Sequence, residues 1–141
     1  MADDGSDFAR SMSIATSGLR AQAGRMRVIS ENIANADSTA PTAAGNPYRR
    51  KVPTFSSALD RTLDARVVTL GKVRADQSAF RVKHEPGNPA ADAAGNVKYP
   101  NVNPLIEMTD MREAQRSYEA NLNIISATRR RIQRTLDILK A

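Results

Sequence analysis

The chain has 141 residues, room for about one domain, and 40% of its residues are hydrophobic. Aromatic residues make up only 4% and tryptophan is absent, so the core must consist mainly of aliphatic side chains. The 21 Lys+Arg against 15 Asp+Glu give a net charge of +6, which allows binding to an acidic surface without requiring it. No cysteine is present, which excludes disulfides and thiolate chemistry.

The first residues lack the features of a secretory signal. Asp3, Asp4 and Asp7 stand where such a signal carries positive charge, and no apolar stretch of signal length follows. No segment approaches the ~20 apolar residues of a membrane span. We therefore expect no direct membrane span and, if the protein leaves the cytosol, export without a cleavable signal peptide.

Residues 1–35 are predicted to be an N-terminal helical segment, with residues 1–7 disordered, Ser6 or Asp7 as the N-cap and an end near Asn35. Its apolar positions alternate at spacings of four and three, which is typical of a coiled-coil seam. The seam is Phe8, Met12, Ala15, Leu19, Gln22, Met26, Ile29 and Ile33. A weaker second strip beside it is Ile14, Gly18, Ala21 and Val28.

Two glycines fall inside this predicted helix. Gly18 and Gly24 each cost a helix roughly 1 kcal/mol relative to alanine. The close approach of an adjacent helix would explain that cost.

Residues 36–104 are predicted to form a loop and a small β-rich outer domain. Polar residues, Pro and Gly dominate residues 36–47, which indicates a loop, and residues 56–63 fit a short helix. Enrichment in β-branched residues over 66–84 predicts two or three short strands. Residues 85–104 contain four prolines and two glycines, so we expect turns or an extended loop there.

Residues 105–141 are predicted to form a second long helix, with Pro104 in its first turn and Asn103 as the N-cap. The same alternation of four and three gives a seam of Met111, Gln115, Tyr118, Leu122, Ile125, Arg129, Ile132, Leu136 and Leu139. Two helices with matching repeats pair most simply as an antiparallel coiled-coil hairpin. The predicted fold class is therefore mainly α with a small β-rich insertion.

No group of residues indicates catalysis. His84 is the only histidine, and neither a glycine-rich phosphate loop nor a metal-ligand spacing occurs. A surface position for His84 is favoured over a role as general base. We expect neither an enzyme nor a protein that binds a cofactor or a metal.

Several stretches resemble the bacterial flagellar rod and hook protein family. Residues 17–19 (SGL) and 32–35 (NIAN) are similar to its N-terminal signature. Residues 47–51 (PYRRK), 97–103 (VKYPNVN), 107–114 (EMTDMREA) and 116–121 (RSYEAN) are similar to the C-type proximal rod proteins, a short branch of the family. One departure is Ser38, which stands where the signature tends to have Thr.

The resemblance implies a non-enzymatic building block of the flagellar basal body. Such a subunit is exported unfolded by the flagellar type III apparatus and joins the proximal rod, the tubular drive shaft that crosses the periplasmic space and transmits motor torque. Its terminal helices pack inside the tube and its middle forms an outer domain. The implied partners are copies of the chain, other rod proteins, the membrane-ring base and the export apparatus.

Under this interpretation the candidate residues form three groups. Core and subunit-interface positions are Leu19, Met26, Ile29, Asn32, Ile33, Asn35, Tyr118, Asn121, Leu122, Ile125, Ile132 and Leu136. A second-face interface, which an isolated chain is expected to expose, is Ile14, Ala21, Val28, Ile124, Thr128 and Ile138. Electrostatic contacts are expected at Arg49, Arg50, Lys51, Arg129, Arg130 and Arg131.

Several alternatives stay open at this point. Burial inside the chain is favoured for Leu19, Met26, Leu122, Ile125 and Leu136. Asn32 and Asn35 fit a local helix terminus as well as hydrogen bonding between subunits. The cluster of residues 129–131 and 134 fits a solvated helix face, or pairing with acidic residues such as Asp3, Asp4, Asp7 or Glu31 of a neighbour. The alternative functions are a basic polyanion- or nucleic-acid-binding helical protein and a cytosolic coiled-coil adaptor.

Overall fold

The computed structural model of the chain describes the backbone of residues 2–140 and the side chains of residues 5–140. Its two helices are α1 (Ala2–Ala34) and α2 (Pro104–Lys140). Between them lie the strands β1 (Lys51–Val52), β2 (Phe55–Asp60), β3 (Ala65–Leu70), β4 (Arg74–Ala75), β5 (Arg81–His84) and β6 (Asn96–Tyr99). Two long terminal helices with a small β region between them confirm the coarse fold prediction.

The contacts divide the chain into two units. Unit 1 comprises Met1–Met26, Thr54–Lys72 and Glu113–Ala141, and unit 2 comprises Arg27–Pro53 and Val73–Arg112. Each unit therefore contains a part of each helix. Neither helix, over the residues described, is both long and apolar enough to cross a membrane.

The helix ends follow local capping chemistry. Pro104 begins α2, as predicted, and the Asn103 Oδ1 accepts a hydrogen bond from the Leu105 N–H at 3.1 Å. At the end of α1, the Asn35 side chain donates to the Glu31 carbonyl at 2.8 Å, a local terminus contact. The N-cap predicted at residues 6–7 is wrong, because α1 begins at Ala2 and acidic residues suit the first turns of a helix.

Among the residues described, six strands form three two-stranded antiparallel sheets. They pair β1 with β4, β2 with β3, and β5 with β6. The three strands β3, β4 and β5 confirm the prediction for residues 66–84. The prediction of loop only for residues 85–104 is wrong at β6, whose residues pair with β5 from Arg81↔Tyr99 to His84↔Asn96.

The short helix predicted at residues 56–63 is also wrong. Strand β2 pairs with β3 along its whole length, from Phe55↔Leu70 to Asp60↔Ala65. The β-branched side chains of β3 favour a strand, and the pairing overrides the weak helical pattern of β2. Asp64 closes the turn with a positive φ of 46°, a conformation that aspartate tolerates.

In unit 1 the β2–β3 hairpin lies along α1. The Arg10 Nε donates to the Leu63 carbonyl at 2.7 Å, and the Val68 N–H donates to the Ser17 Oγ at 3.2 Å. A Cβ added to Gly24 would stand 2.6 Å from the Leu70 Cδ2. Strand β3 therefore runs beside α1 in the same direction. The close approach expected at Gly24 exists, but the neighbour is a strand.

At Gly18 the close neighbour is a helix, as predicted. A Cβ there would stand 2.9 Å from the amide atoms of Asn121 on α2. The Asn121 side chain also donates to the Ser117 carbonyl at 2.9 Å, which holds it in place. Small side chains at such a contact let the two backbones approach closely.

The buried positions of α2 follow a repeat that is displaced from the predicted seam. Ala114 and Thr128 are buried, and each precedes a predicted seam residue, Gln115 or Arg129. Leu122 and Leu136 keep 45% and 46% of their surface exposed, so the expectation that the chain buries them is wrong. The physical reason is size, because alanine and threonine allow closer packing than leucine.

The second face is only partly exposed. Ala21, Val28 and Thr128 are buried within the chain, so the expectation that a single chain exposes them is wrong. Their small or compact side chains fit positions of close packing. The isoleucines of the same group remain exposed: Ile14, Ile124 and Ile138.

We expect alanine to have opposite effects at two helical glycines. Gly5→Ala should stabilise the fold by up to about 1 kcal/mol, because nothing lies within 4 Å of the added Cβ and alanine favours a helix. Gly18→Ala should destabilise it by about 1 kcal/mol, because Asn121 must move. Urea unfolding of both variants measures the difference, and equal stabilisation at both sites would contradict the close contact.

Candidate functional site

The Asn32 side chain is the centre of a buried hydrogen-bond network in unit 2. Its Oδ1 accepts from the Tyr48 hydroxyl at 2.8 Å and the Lys51 N–H at 2.9 Å. Its Nδ2 donates to the Lys51 carbonyl at 2.8 Å and the Glu107 Oε2 at 3.1 Å. These bonds use the full capacity of the amide, which is 1% exposed. We call Asn32, Tyr48, Arg50, Lys51 and Glu107 the polar junction.

Glu107 brings a negative charge into this junction. It lies in the first turn of α2, where the helix dipole favours an acid, and it is 1% exposed. Its Oε1 accepts a hydrogen bond from the Arg50 Nε at 2.5 Å. A buried carboxylate without a partner would be strongly destabilising, so Arg50 is the residue that makes the position tolerable.

Arg50 faces three carboxylates. Besides Glu107, its guanidinium nitrogens lie 3.6 Å from the Asp76 Oδ2 and 3.8 Å from the Asp110 Oδ2. Burial lowers the pKa of Arg50, but the hydrogen bond to Glu107 and the surrounding charges raise it above its usual value overall. The guanidinium therefore stays charged and compensates the acids around it.

The residues on either side of Arg50 are also held within the chain. The Lys51 Nζ pairs with the Glu31 carboxylate, and the backbone of Lys51 pairs with Ala75 of β4. The Arg49 guanidinium donates to the carbonyls of Asp76 and Ser78 at 2.9 and 3.0 Å, and its Cζ lies 4.2 Å from the centre of the Phe80 ring. The basic stretch thus satisfies its charges and donors locally.

Asn101 fixes the backbone of this stretch. Its Oδ1 accepts from the Arg50 N–H at 2.8 Å, and its Nδ2 donates to the Ser78 Oγ at 2.9 Å. The Ser78 N–H donates to the Asp76 Oδ1 at 2.8 Å. The hydrogen bonds from Ser78, together with the charge of Arg50, lower the pKa of Asp76. Asp76 therefore remains a carboxylate beside Arg50.

The structure brings together some predicted site residues and leaves others apart. Asn32, Arg50 and Lys51 meet in the junction, and Asn35 bonds locally, so the observed partners of all four are inside the chain. Leu19, Met26, Ile33, Tyr118, Ile125 and Ile132 are half-buried, and Ile29 is buried. Arg129, Arg130 and Arg131 are exposed, and no ion pair involves them within the described residues. The interface roles of these residues stay predictions.

Sequence reasoning missed Glu107, Asp76 and Asn101. Glu107 and Asn101 lie in the stretches that carry the family resemblance, which was the one signal for them. An acid in the first turn of a helix ordinarily has solvent around it, so nothing local indicates burial. Asp76 carries no such signal.

No metal site accompanies the junction. Within the described residues, no group of three or more His, Cys, Asp or Glu side chains could hold a metal ion. His84 is exposed, and its Nδ1 lies 3.4 Å from the Asn96 Oδ1.

Comparisons with known proteins identify the family. Residues 12–40 match the model of the flagella basal body rod protein, and residues 93–138 match that of the flagellar basal body rod FlgEFG protein C-terminal. A flagellar basal-body rod protein FlgC of Agrobacterium fabrum is 54% identical, over 91% of this chain and 92% of the relative. The chain belongs to the FlgC family of flagellar basal-body rod proteins. The predicted resemblance and the structural role in the rod are confirmed.

More distant members of the FlgC family match over similar lengths. The protein of Bacillus subtilis is 37% identical over 92% of this chain and 97% of the relative. That of Aquifex aeolicus is 36% identical over 95% of this chain and 98% of the relative. The polyanion-binding alternative has no support from these relatives. The two matched family regions meet at the junction, because the first contains Asn32 and the second contains Glu107.

We expect Asn32→Ala to destabilise the fold by about 3 kcal/mol, because Tyr48, the Lys51 backbone and the buried Glu107 each lose a hydrogen bond to the amide. Asn35→Ala is the matched control, because it removes only local contacts at the helix end, with Glu31 and Ser38, and should cost about 1 kcal/mol. Urea unfolding measures both values. Equal losses would mean that the junction contributes no more than an ordinary helix terminus.

The Tyr48 hydroxyl should make stability depend on alkaline pH. Burial, with the charges of Glu31 and Glu107, raises the pKa of Tyr48 to about 12 from its ordinary 10.0. Because the folded pKa lies above the unfolded one, the stabilising contribution is complete below pH 10.0 and is lost as the pH rises towards about 12. Tyr48→Phe should show a smaller loss over this range in urea unfolding. Identical pH profiles would contradict the raised pKa.

Proposed function

We propose that this chain is a subunit of the proximal rod that polymerises through its terminal helices, with copies of itself and other rod proteins. The rod crosses the periplasmic space as a tubular drive shaft and transmits motor torque. The observation that carries the proposal is the apolar surface of α2, where large side chains stay exposed along the helix. They are Leu105, Ile106, Met108, Leu122, Ile124, Leu136, Ile138 and Leu139.

We infer that the two helices pair as an antiparallel hairpin. In unit 1, Gly18 contacts Asn121, and the Arg25 Nη2 lies 3.6 Å from the Glu113 Oε2. The later residue of α1 therefore contacts the earlier residue of α2, which is the order that an antiparallel pair requires. We propose residues 1–35 and 105–141 as the inner domain and residues 36–104 as the outer domain.

This many exposed large apolar side chains on one helix call for a partner. A single soluble chain rarely leaves so many large apolar side chains in water. On the same helix Ala114 and Thr128 are buried, whereas Leu122 and Leu136 are exposed. Helix α2 therefore packs within its own chain and keeps large apolar side chains for neighbours. Head-to-tail contacts repeated in this way extend into a tube and need not close into a dimer.

The basic end of α2 supports electrostatic contacts in the same assembly. Arg129, Arg130 and Arg131 are exposed, and Arg134 follows one turn later. We propose that they face acidic residues near the start of a neighbouring chain, where the sequence has Asp3, Asp4 and Asp7. The side chains of Asp3 and Asp4 lie outside the described residues. Several such pairs together would resist twisting more than any one of them.

The resemblance supports the remaining parts of the proposal. The subunit is exported by the flagellar type III apparatus without a cleavable signal peptide, and it meets the membrane-ring base of the basal body. It acts mechanically and performs no catalysis. The rigid polar junction suits this role, because it holds the loop-proximal ends of both helices in one unit.

Leu122→Asp tests the proposal most directly. The side chain is 45% exposed, so the change should leave the stability of the isolated chain within about 0.5 kcal/mol and abolish incorporation into basal bodies and swimming. Asn123→Asp is the control, because it adds the same charge to an exposed neighbour on another side of the helix and should be tolerated. Normal basal bodies and motility with Leu122→Asp would overturn the proposal.

A further inference from the structure

Unit 1 contains an open apolar groove between α1 and the β2–β3 hairpin. Its volume is about 560 Å³, which is room for several aliphatic side chains. One wall consists of α1 residues and the other of residues of the β2–β3 hairpin. The apolar part of the lining is Met12, Ala21, Val67, Val68 and Leu70.

Two opposite charges border this groove. Arg20 of α1 and Asp60 at the end of β2 both line it. Neither side chain forms an ion pair within the described residues, and the Asp60 Oδ1 accepts a hydrogen bond from the Thr62 N–H at 3.0 Å. Asp60 pairs with Ala65 at the start of β3, whereas Arg20 lies beyond Ser17, which bonds Val68. The negative charge is therefore near the start of the groove and the positive charge farther along α1.

The last turns of α2 have the complementary features. Leu136 and Leu139 are three positions apart, so they share one face of the helix. They are 46% and 68% exposed. Asp137 and Lys140, also three positions apart, flank this face, and neither forms an ion pair within the described residues. The segment thus presents an apolar ridge with one acid and one base beside it.

We propose that the groove of one chain receives the last turns of α2 from a second copy. Leu136 and Leu139 enter the apolar part, Asp137 pairs with Arg20, and Lys140 pairs with Asp60. This charge order sets the incoming helix antiparallel to α1, because Lys140 must reach the end of the groove where α1 has its lower numbers. Helix-in-groove docking of this kind buries apolar side chains while flanking charges set direction. The proposal rests on the proposed self-assembly and adds which surfaces of the two copies are in contact.

Exchanging the two charges tests the proposed pair between Arg20 of one copy and Asp137 of another. Arg20→Asp alone and Asp137→Arg alone should each reduce incorporation into purified basal bodies about fivefold, since each places like charges together. The double variant Arg20→Asp/Asp137→Arg should recover incorporation and swimming. Arg27→Asp is the matched control, an exposed arginine on the same helix outside the groove, and Asp137→Arg should not rescue any defect it causes.

The absence of cysteine allows a direct second measurement. Thr16→Cys in the groove wall and Leu139→Cys on the incoming helix, placed in one chain, should give disulfide-linked products at two and higher whole multiples of the chain's mass in oxidised basal bodies. The single variants should give none. Thermal unfolding of every isolated variant checks that its fold is retained.

The outcomes separate this inference from the proposed function. Wild-type incorporation with no defect in either single charge variant, or no recovery in the double variant, would overturn the groove contact and leave the rod role intact. A cross-link to a chain of different mass would overturn the second copy as occupant. Absence of the wild-type chain from basal bodies would instead refute the proposed function itself.

Discussion

The hydrogen bond between the Asn32 amide and the Glu107 carboxylate is the contact on which the rest of unit 2 depends. Both side chains are 1% exposed, and a buried charge of this kind is tolerated only with a charged and hydrogen-bonded partner. Arg50 supplies the charge and Asn32 supplies a neutral donor. Because the three residues come from separate parts of the chain, neither helix can hold this arrangement alone. The segment between them is therefore part of what positions the helix ends.

In unit 1 the helices pack through small side chains, whereas the junction in unit 2 is polar. Gly18 meets Asn121, and Ala114 and Thr128 are buried, each one position before a predicted seam residue. Close packing of small side chains buries little apolar area inside the chain and leaves Leu122 and Leu136 outside. The hydrophobic free energy of those leucines is thus still available for contacts with other chains. This division agrees with the proposed assembly of the rod through the terminal helices.

The β2–β3 hairpin lies outside the two regions that match the family models. Residues 12–40 and 93–138 match the rod models, whereas β2 and β3 lie between them. The hairpin is attached to α1 through Arg10, Ser17 and Gly24, which recur every seven residues on one face. Its attachment creates a second wall beside α1 and hence the groove. A surface of this shape cannot be recognised from helix periodicity.

The sequence by itself determined the family, the two long helices and their ends at Asn35 and Asn103, because capping and heptad periodicity are local properties. Only the tertiary structure decided that residues 55–60 form a strand, since β3 is the partner that makes it one. It also decided that α2 buries Ala114 and Thr128, each one position before a predicted seam residue, and that the carboxylate of Glu107 is buried. Periodicity indicates which faces of a helix can be buried. The size and charge of the side chains on the facing element decide which of these faces is buried.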